Sequence, residues 1–341
     1  MKSLLLNNVY DLNKTDTPLI LKDIPEPVPT DFELLIKIIA CGVCHTEIDE
    51  IEGRTPPPFY PVVPGHQVIG NVIGIGDKVT KFEISDRVGI GWIYSSCGKC
   101  SYCLEGNDNL CAEFRATGRD VNGGYEEYMV VPENSAFLIP EIFSDSEAAP
   151  LLCAGAIGYR SVKLTGLING ESLGLTGFGA SAHIVLKMVK HKFPDTKIFV
   201  FARSEKERDF AKSLGADWTG DTLTKCPEEL NCIIDTTPVW MPVVEAMRNL
   251  KPGGRLVINA IRKEDIDKNY LMKIDYSEHL WMEKEIKSVA NVSTSDIREF
   301  LELAAEIPLK PEYQEYRLED ANIALLELKH RKIRGAKVLR I

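Results

Sequence analysis

The densest chemistry in the chain lies between Cys97 and Cys111, where CGKCSYCLEGNDNLC sets Cys97, Cys100, Cys103 and Cys111 in a C-x2-C-x2-C-x7-C array. Four thiolates on one short loop can close a tetrahedral shell around Zn2+ and leave no position for water or substrate. Such a site folds its loop, with apparent binding energies on the order of 10–16 kcal/mol in small peptides, and does no chemistry itself. The same four residues also admit two other readings: ligation of an iron–sulfur cluster, or four buried free thiols.

A second set is dispersed. A catalytic zinc needs about three protein ligands and one open position. Cys44 follows a strand-like stretch in ACGVCHTE, His66 opens another in VPGHQVIG, and Cys153 heads a predicted helix in PLLCAGAIGY. Taken singly, each is equally well a satisfied core residue. Cys41, by its C-x2-C spacing to Cys44, would alone indicate a further structural site.

A third set is glycine-rich. LGLTGFGASAH carries Gly177, Gly179 and Ala182 in a G-x-G-x-x-A pattern, with Ala180 at the opening of a predicted helix. In a dinucleotide site the first glycine makes the tight turn, the second lets backbone approach the pyrophosphate, and a small third residue allows helix–strand packing. The plain alternative is a strand–helix turn. At the end of the next strand, KIFVFARSEKER places Ala202, Arg203 and Ser204 where an NAD site usually carries an acidic residue for the ribose 2′-hydroxyl. An arginine and a hydroxyl suit a 2′-phosphate instead, so NADP(H) is expected ahead of NAD(H). Otherwise Arg203 is a solvated helix-start residue.

The elements that must position these residues change character along the chain. From Met1 to about Pro150, short β segments such as LLIKIIA, QVIGNVIGIG and YEEYMVV lie between glycines and prolines, predicting an all-β region with long loops. From about Leu173, apolar runs alternate with helical stretches, predicting βαβ units and a doubly wound parallel sheet. After Lys287 come a strand-like SVANV, two helices and a closing strand AKVLRI, read as a return to the first domain. The expected domains are 1–152, 153–291 and 292–341.

The 341 residues, 44% hydrophobic and 26% charged, are those of a globular chain. A net charge of −10 opposes a nucleic-acid partner. The opening MKSLLLNNVYDLNK is too briefly apolar for a membrane span or secretory segment. Nine cysteines without such a segment point to a reducing, cytoplasmic setting.

Through ACGVCHTE, VPGHQVIGNVIGIGDKVTKFEISDRVGIGW, the four-cysteine lobe, GGYEEYMVVP and AAPLLCAG, the sequence resembles the zinc-dependent medium-chain alcohol dehydrogenases along nearly its whole length. The resemblance implies an α/β protein with a GroES-like, β-rich catalytic domain and a Rossmann cofactor domain, and an active site in the cleft between them. It implies two zinc ions per chain, with Cys44, His66 and Cys153 holding the catalytic one. It makes Thr46 the hydroxyl that starts a proton relay, His45 a neighbour of the cofactor pyrophosphate, and Cys41 a strand-end thiol. It further implies reversible hydride transfer between a small alcohol or aldehyde and NAD(P), in a homodimer or homotetramer. A polyol dehydrogenase, another zinc-dependent reductase, or a silent dinucleotide-binding protein is the alternative.

Three positions depart from the family pattern. Glu47 stands where an aspartate usually orients the ligating histidine, and its extra methylene is expected still to reach His66. Gln67 replaces a glutamate, and Asp49 replaces the histidine that ends the relay in many relatives. Phe59, Tyr60 and Trp92 are candidates for an apolar substrate pocket, or for ordinary core.

Overall fold

The strand Glu33–Val43, ELLIKIIACGV, buries Leu34, Ile36, Ile38 and Ala40 and exposes Lys37, the period-two pattern of a half-buried strand. In a computed structural model, which describes residues 1–330 and 335–341, this strand sits within a seven-stranded sheet. The order is Tyr313–Arg317, Ala336–Arg340, Glu33–Val43, Val68–Ile75, Arg87–Ile90 and Ala136–Leu138, with Tyr128–Pro132 also paired to Glu33–Val43. The closing strand runs antiparallel to Glu33–Val43, with Leu339 opposite Cys41. Leu34, Ile36, Val68, Val88, Met129 and Leu339 belong to one buried apolar cluster.

The chain divides into two compact units, one of Met1–Cys153 with Val292–Ile341 and the other of Ala154–Asn291. The first is not all β. A helix, His45–Ile51, follows the central strand directly, and another, Asp145–Pro150, precedes Cys153. Ser144 and Glu147 form a capping box at the second, each side chain bonding the other's backbone N–H.

The second unit carries a six-stranded parallel sheet in the order Trp218–Gly220, Lys197–Phe201, Ser172–Thr176, Leu230–Asp235, Leu250–Ile258 and Glu285–Ser288. Ser172–Thr176 is buried at every position, as expected of a parallel strand covered on both faces. The chain leaves this strand toward Lys197–Phe201 on one side and later returns on the other with Leu230–Asp235. That reversal is the topological switch point of a Rossmann sheet, where ligands bind at the carboxyl ends of the strands. The last strand is Glu285–Ser288, not SVANV. Val289 and Val292 are buried just after it, so the apolar run there marks packing, whereas the paired strand is an exposed edge. Among the described residues, no helix is long and apolar enough to cross a membrane.

Candidate active site

Cys44 is the N-cap of helix His45–Ile51, and its Sγ accepts the Thr46 backbone N–H at 3.3 Å. Glu47 Oε2 reaches back to accept the Cys44 N–H at 2.8 Å, while Glu47 Oε1 lies 2.6 Å from His66 Nδ1. The longer side chain therefore caps the helix and holds the imidazole together. His66 Nε2 is left facing Cys44 Sγ at 3.7 Å, and Cys153, in the Leu151–Gly155 turn, completes a set whose ligand atoms all lie within 4.8 Å of one another.

Hydrogen bonding with Cys153, then burial, pushes the Cys44 thiol well above its usual range. Burial opposes charge on the His66 ring, but Glu47 and Cys44 outweigh it and raise its pKa well above the ordinary value. Two soft sulfurs and an imidazole nitrogen crowded in this way fit a divalent zinc-like cation, whose charge would invert that balance. Cys41 is fully buried, turns its thiol to the Gly42 carbonyl at 3.6 Å, and stands outside the set.

Around this set the other expected residues take distinct positions. Thr46 is buried and His45 exposed on the same helical turn. Asp49 is buried, and its Oδ1 is held by Arg54 Nε at 2.5 Å. Gln67 packs over Gly42 so closely that a Cβ there would lie 2.6 Å from Gln67 Oε1. Phe59 is exposed, Tyr60 half-buried and Trp92 buried against Phe114. Glu50, not anticipated from sequence, is buried with no hydrogen-bond partner for Oε1 among the described residues. Burial, then the Glu47 charge, lifts its carboxyl well above the usual range.

The four-cysteine lobe brings all four sulfurs within 4.8 Å of one another. Backbone amides point at them: Cys97 N and Glu113 N to Cys111 Sγ, and Cys100 N to Cys97 Sγ, each at 3.4 Å. Such donors favour thiolates, and the amides of Lys99 and Cys100 bring Cys97 down to about 6. The donor set fits a closed zinc site.

In the second unit Gly177 has φ +75°, a left-handed conformation that side chains resist. A Cβ on Gly179 would meet nothing within 4 Å. The backbone is thus open toward the N-terminus of helix Ala180–Lys192, whose first turn has no acidic residue, and this cradle fits a pyrophosphate. Ala182 is fully buried. Ala202 is buried, while Arg203 and Ser204 are exposed at the start of helix Glu205–Ser213. Arg208, a residue the motif reading missed, donates to the carbonyls of Ala202 at 2.7 Å and Arg203 at 2.8 Å.

Residues 30–141 match the model of the alcohol dehydrogenase GroES-like domain. Over 93% of this chain and 91% of the other, the sequence is 41% identical to a probable alcohol dehydrogenase, AdhA, of Mycobacterium tuberculosis. The chain belongs to the zinc-dependent medium-chain alcohol dehydrogenase family. The fold is also that of CAD from Helicobacter pylori complexed with NADP(H), at TM-score 0.86 and 23% identity over 99% and 97% of the two chains. A cobalt- and zinc-bound thermostable alcohol dehydrogenase from Pyrobaculum aerophilum has the same fold, at TM-score 0.88 and 22% identity over 100% and 99%. The protein is an alcohol dehydrogenase acting on a small-molecule alcohol.

Proposed function

We propose that this alcohol dehydrogenase holds two zinc ions per chain, one at Cys44, His66 and Cys153 and one at Cys97, Cys100, Cys103 and Cys111, and uses NADP(H) ahead of NAD(H) on a small primary or secondary alcohol or its carbonyl product. The observation that carries the reading is the convergence of Cys44, His66 and Cys153 within 4.8 Å, with Glu47 on the far nitrogen of the imidazole. When bound, zinc supplies Lewis acidity to the substrate oxygen, and the nicotinamide takes or gives hydride.

The chain's own residues orient and deprotonate. Glu47 accepts the Nδ1 proton of His66, which selects the tautomer whose Nε2 lone pair faces the two thiols. Thr46, on the first turn beside Cys44, is the hydroxyl assigned to pass the alcohol proton outward. Asp49 is assigned to the end of that path, but Arg54 already engages it, so any proton it takes comes at the expense of that ion pair. His45 is assigned to the pyrophosphate, together with the Gly177, Gly179, Ala180 and Ala182 turn. Arg203 and Ser204 are assigned to the 2′-phosphate, since no carboxylate stands at Ala202 to repel it.

A cytoplasmic, homo-oligomeric protein is part of the same proposal. The exposed edge strand Glu285–Ser288 supports self-association. The reading is tested by elemental analysis together with an alcohol and aldehyde panel run with each nicotinamide cofactor. Two zincs per chain and metal-dependent turnover are expected. One zinc, iron in the lobe, or turnover that survives removal of the metal overturns it.

A further inference from the structure

Asp235 ends the strand Leu230–Asp235 with its carboxylate fully buried. Thr176 Oγ1 donates to it at 2.5 Å, Thr237 Oγ1 at 2.8 Å, and the Lys263 ammonium completes an ion pair on its other oxygen. Lys263 is nearly as buried, and its Nζ also donates to the carbonyls of Thr237 at 2.6 Å and Val239 at 3.1 Å. Nearby, the Glu264 N–H donates to Pro238 O at 2.6 Å, and Asp267 accepts the N–H groups of Trp240 and Met241 at 2.9 and 2.7 Å. Residues 263–267 are thus stitched to residues 237–241, a segment most of whose conformation lies outside any strand.

That segment begins as the wall of the nucleotide-fingerprint turn. Thr236 N and Oγ1 both donate to Thr176 O, at 3.0 and 2.9 Å. A Cβ on Gly177 would fall 2.9 Å from Thr236 Oγ1 and 3.0 Å from Thr237 Cγ2. In the sheet, Leu230–Asp235 flanks Ser172–Thr176 on the side opposite to Lys197–Phe201. The Ala202–Ser204 end serves the adenosine ribose, so the loop after Asp235 lies toward the other half of a dinucleotide. A buried ion pair is a weak source of stability, since a packed apolar pair can replace it without loss. It does specify one loop conformation, and a wall fixed in advance lowers the ordering cost of binding.

We propose that Lys263 is a positioning residue of the cofactor crevice, which pins the 236–241 loop to the 263–267 segment and so fixes the wall beside which the nicotinamide half of the dinucleotide lies. This rests on the dinucleotide reading given above. The test measures, on the zinc-loaded enzyme, the Kd of whichever of NADPH and NADH the parent binds more tightly, by nicotinamide fluorescence. The Kd of the matching adenosine half, 2′-phospho-5′-AMP for NADPH or 5′-AMP for NADH, is measured by calorimetry.

Lys263→Met should weaken the dinucleotide about tenfold or more and leave the matching adenosine half within about twofold. Because that variant strands the Asp235 charge and can fail to fold, Lys263→Met with Asp235→Asn removes both charges and is held to the same expectation. An unchanged dinucleotide Kd in the folded variants overturns the clamp, and so does an equal loss for both ligands, which would mean general disruption of the unit. A parent that binds neither NADPH nor NADH refutes the dinucleotide reading itself, and the clamp with it.

Discussion

Glu47 shows how much one carboxylate can organise, since its two oxygens meet the Cys44 amide and His66 Nδ1 at 2.8 and 2.6 Å. Removing a ligand from this set should leave the fold intact, because Cys44, His66 and Cys153 come from three separate segments that border elements already held by the sheet and its cores. Cys44→Ser and His66→Ala should therefore keep a cooperative melt, retain about one zinc of two, and lose turnover by orders of magnitude. Metal content and kcat measured on the same preparations check this, and normal turnover in either variant refutes the catalytic assignment. Cys41→Ser, whose thiol faces a carbonyl and not the set, should be mild. At the proposed 2′-phosphate site, an arginine–phosphate contact would contribute about 1.5–3 kcal/mol, so a roughly tenfold to hundredfold preference for NADPH is expected. Arg203→Ala should erase most of that preference, and Ala202→Asp should move it toward NADH. The ratio of kcat/KM for the two cofactors reads the effect, and a parent that prefers NADH would show that ribose recognition lies elsewhere.

Among the elements, the cysteine lobe and the N-terminal strand make separate demands on stability. The lobe is short of apolar burial: helix Ser101–Leu104 has no buried residue, and the lobe is tied to helix Thr294–Glu306 by Asp108 accepting from Thr294 N and Oγ1 and by Gly106 O accepting from Ser295 Oγ. Cys100→Ser should accordingly lower Tm and zinc content while sparing the turnover of whatever protein remains folded. A variant with parental Tm but no activity would reverse the role assigned to this metal. The strand Lys2–Leu6 docks at Glu126, where Ser3 Oγ donates to Oε2 at 3.1 Å and burial pushes the carboxyl up to about 8. A folded-state pKa above the unfolded one means that the native state holds a proton the unfolded chain has released. Stability should then fall as pH rises from about 4.5 to 8, by up to about 4 kcal/mol. Glu126→Gln should flatten that slope and be the more stable protein at pH 8.5, as denaturant titrations at both ends of the window would reveal. Much of this level was legible from sequence: apolar runs alternating with helical stretches specify a parallel sheet, and G-x-G-x-x-A marks its first turn. The helix His45–Ile51 was not, because its capping box uses Cys44 in place of the serine or threonine that signals such a start. Asp235 and Lys263 were invisible for another reason. They lie 28 residues apart, outside any motif, and only the neighbouring strand ends bring them together.

At the scale of the whole molecule, the proposed catalytic set of Cys44, His66 and Cys153 belongs to a unit built from Met1–Cys153 and Val292–Ile341, while the proposed nucleotide turn belongs to Ala154–Asn291. That inserted unit ends its sheet on Glu285–Ser288, whose four residues are all exposed. An open parallel edge offers unpaired N–H and C=O groups to another strand, and proteins usually blunt such edges with charge, proline or a cover. Here Lys287 and the Arg255–Glu285 pair supply charge. Yet Ile286 is 43% exposed, and Trp281 and Met282 just before it are 54% and 51% exposed. Apolar side chains beside an unsatisfied edge fit a second copy of the same strand, paired about a two-fold axis so that each copy presents the same patch. The parent should then sediment as a dimer or a larger even-numbered assembly. Trp281→Glu combined with Ile286→Lys should weaken the association about tenfold or more, since large apolar residues near the centre of an interface carry most of its energy. Neither residue is buried, so the variant should unfold at a Tm close to that of the dissociated parent. Sedimentation velocity across a dilution series decides the matter: a monomeric parent, or a variant whose assembly is unchanged, removes this edge as the interface.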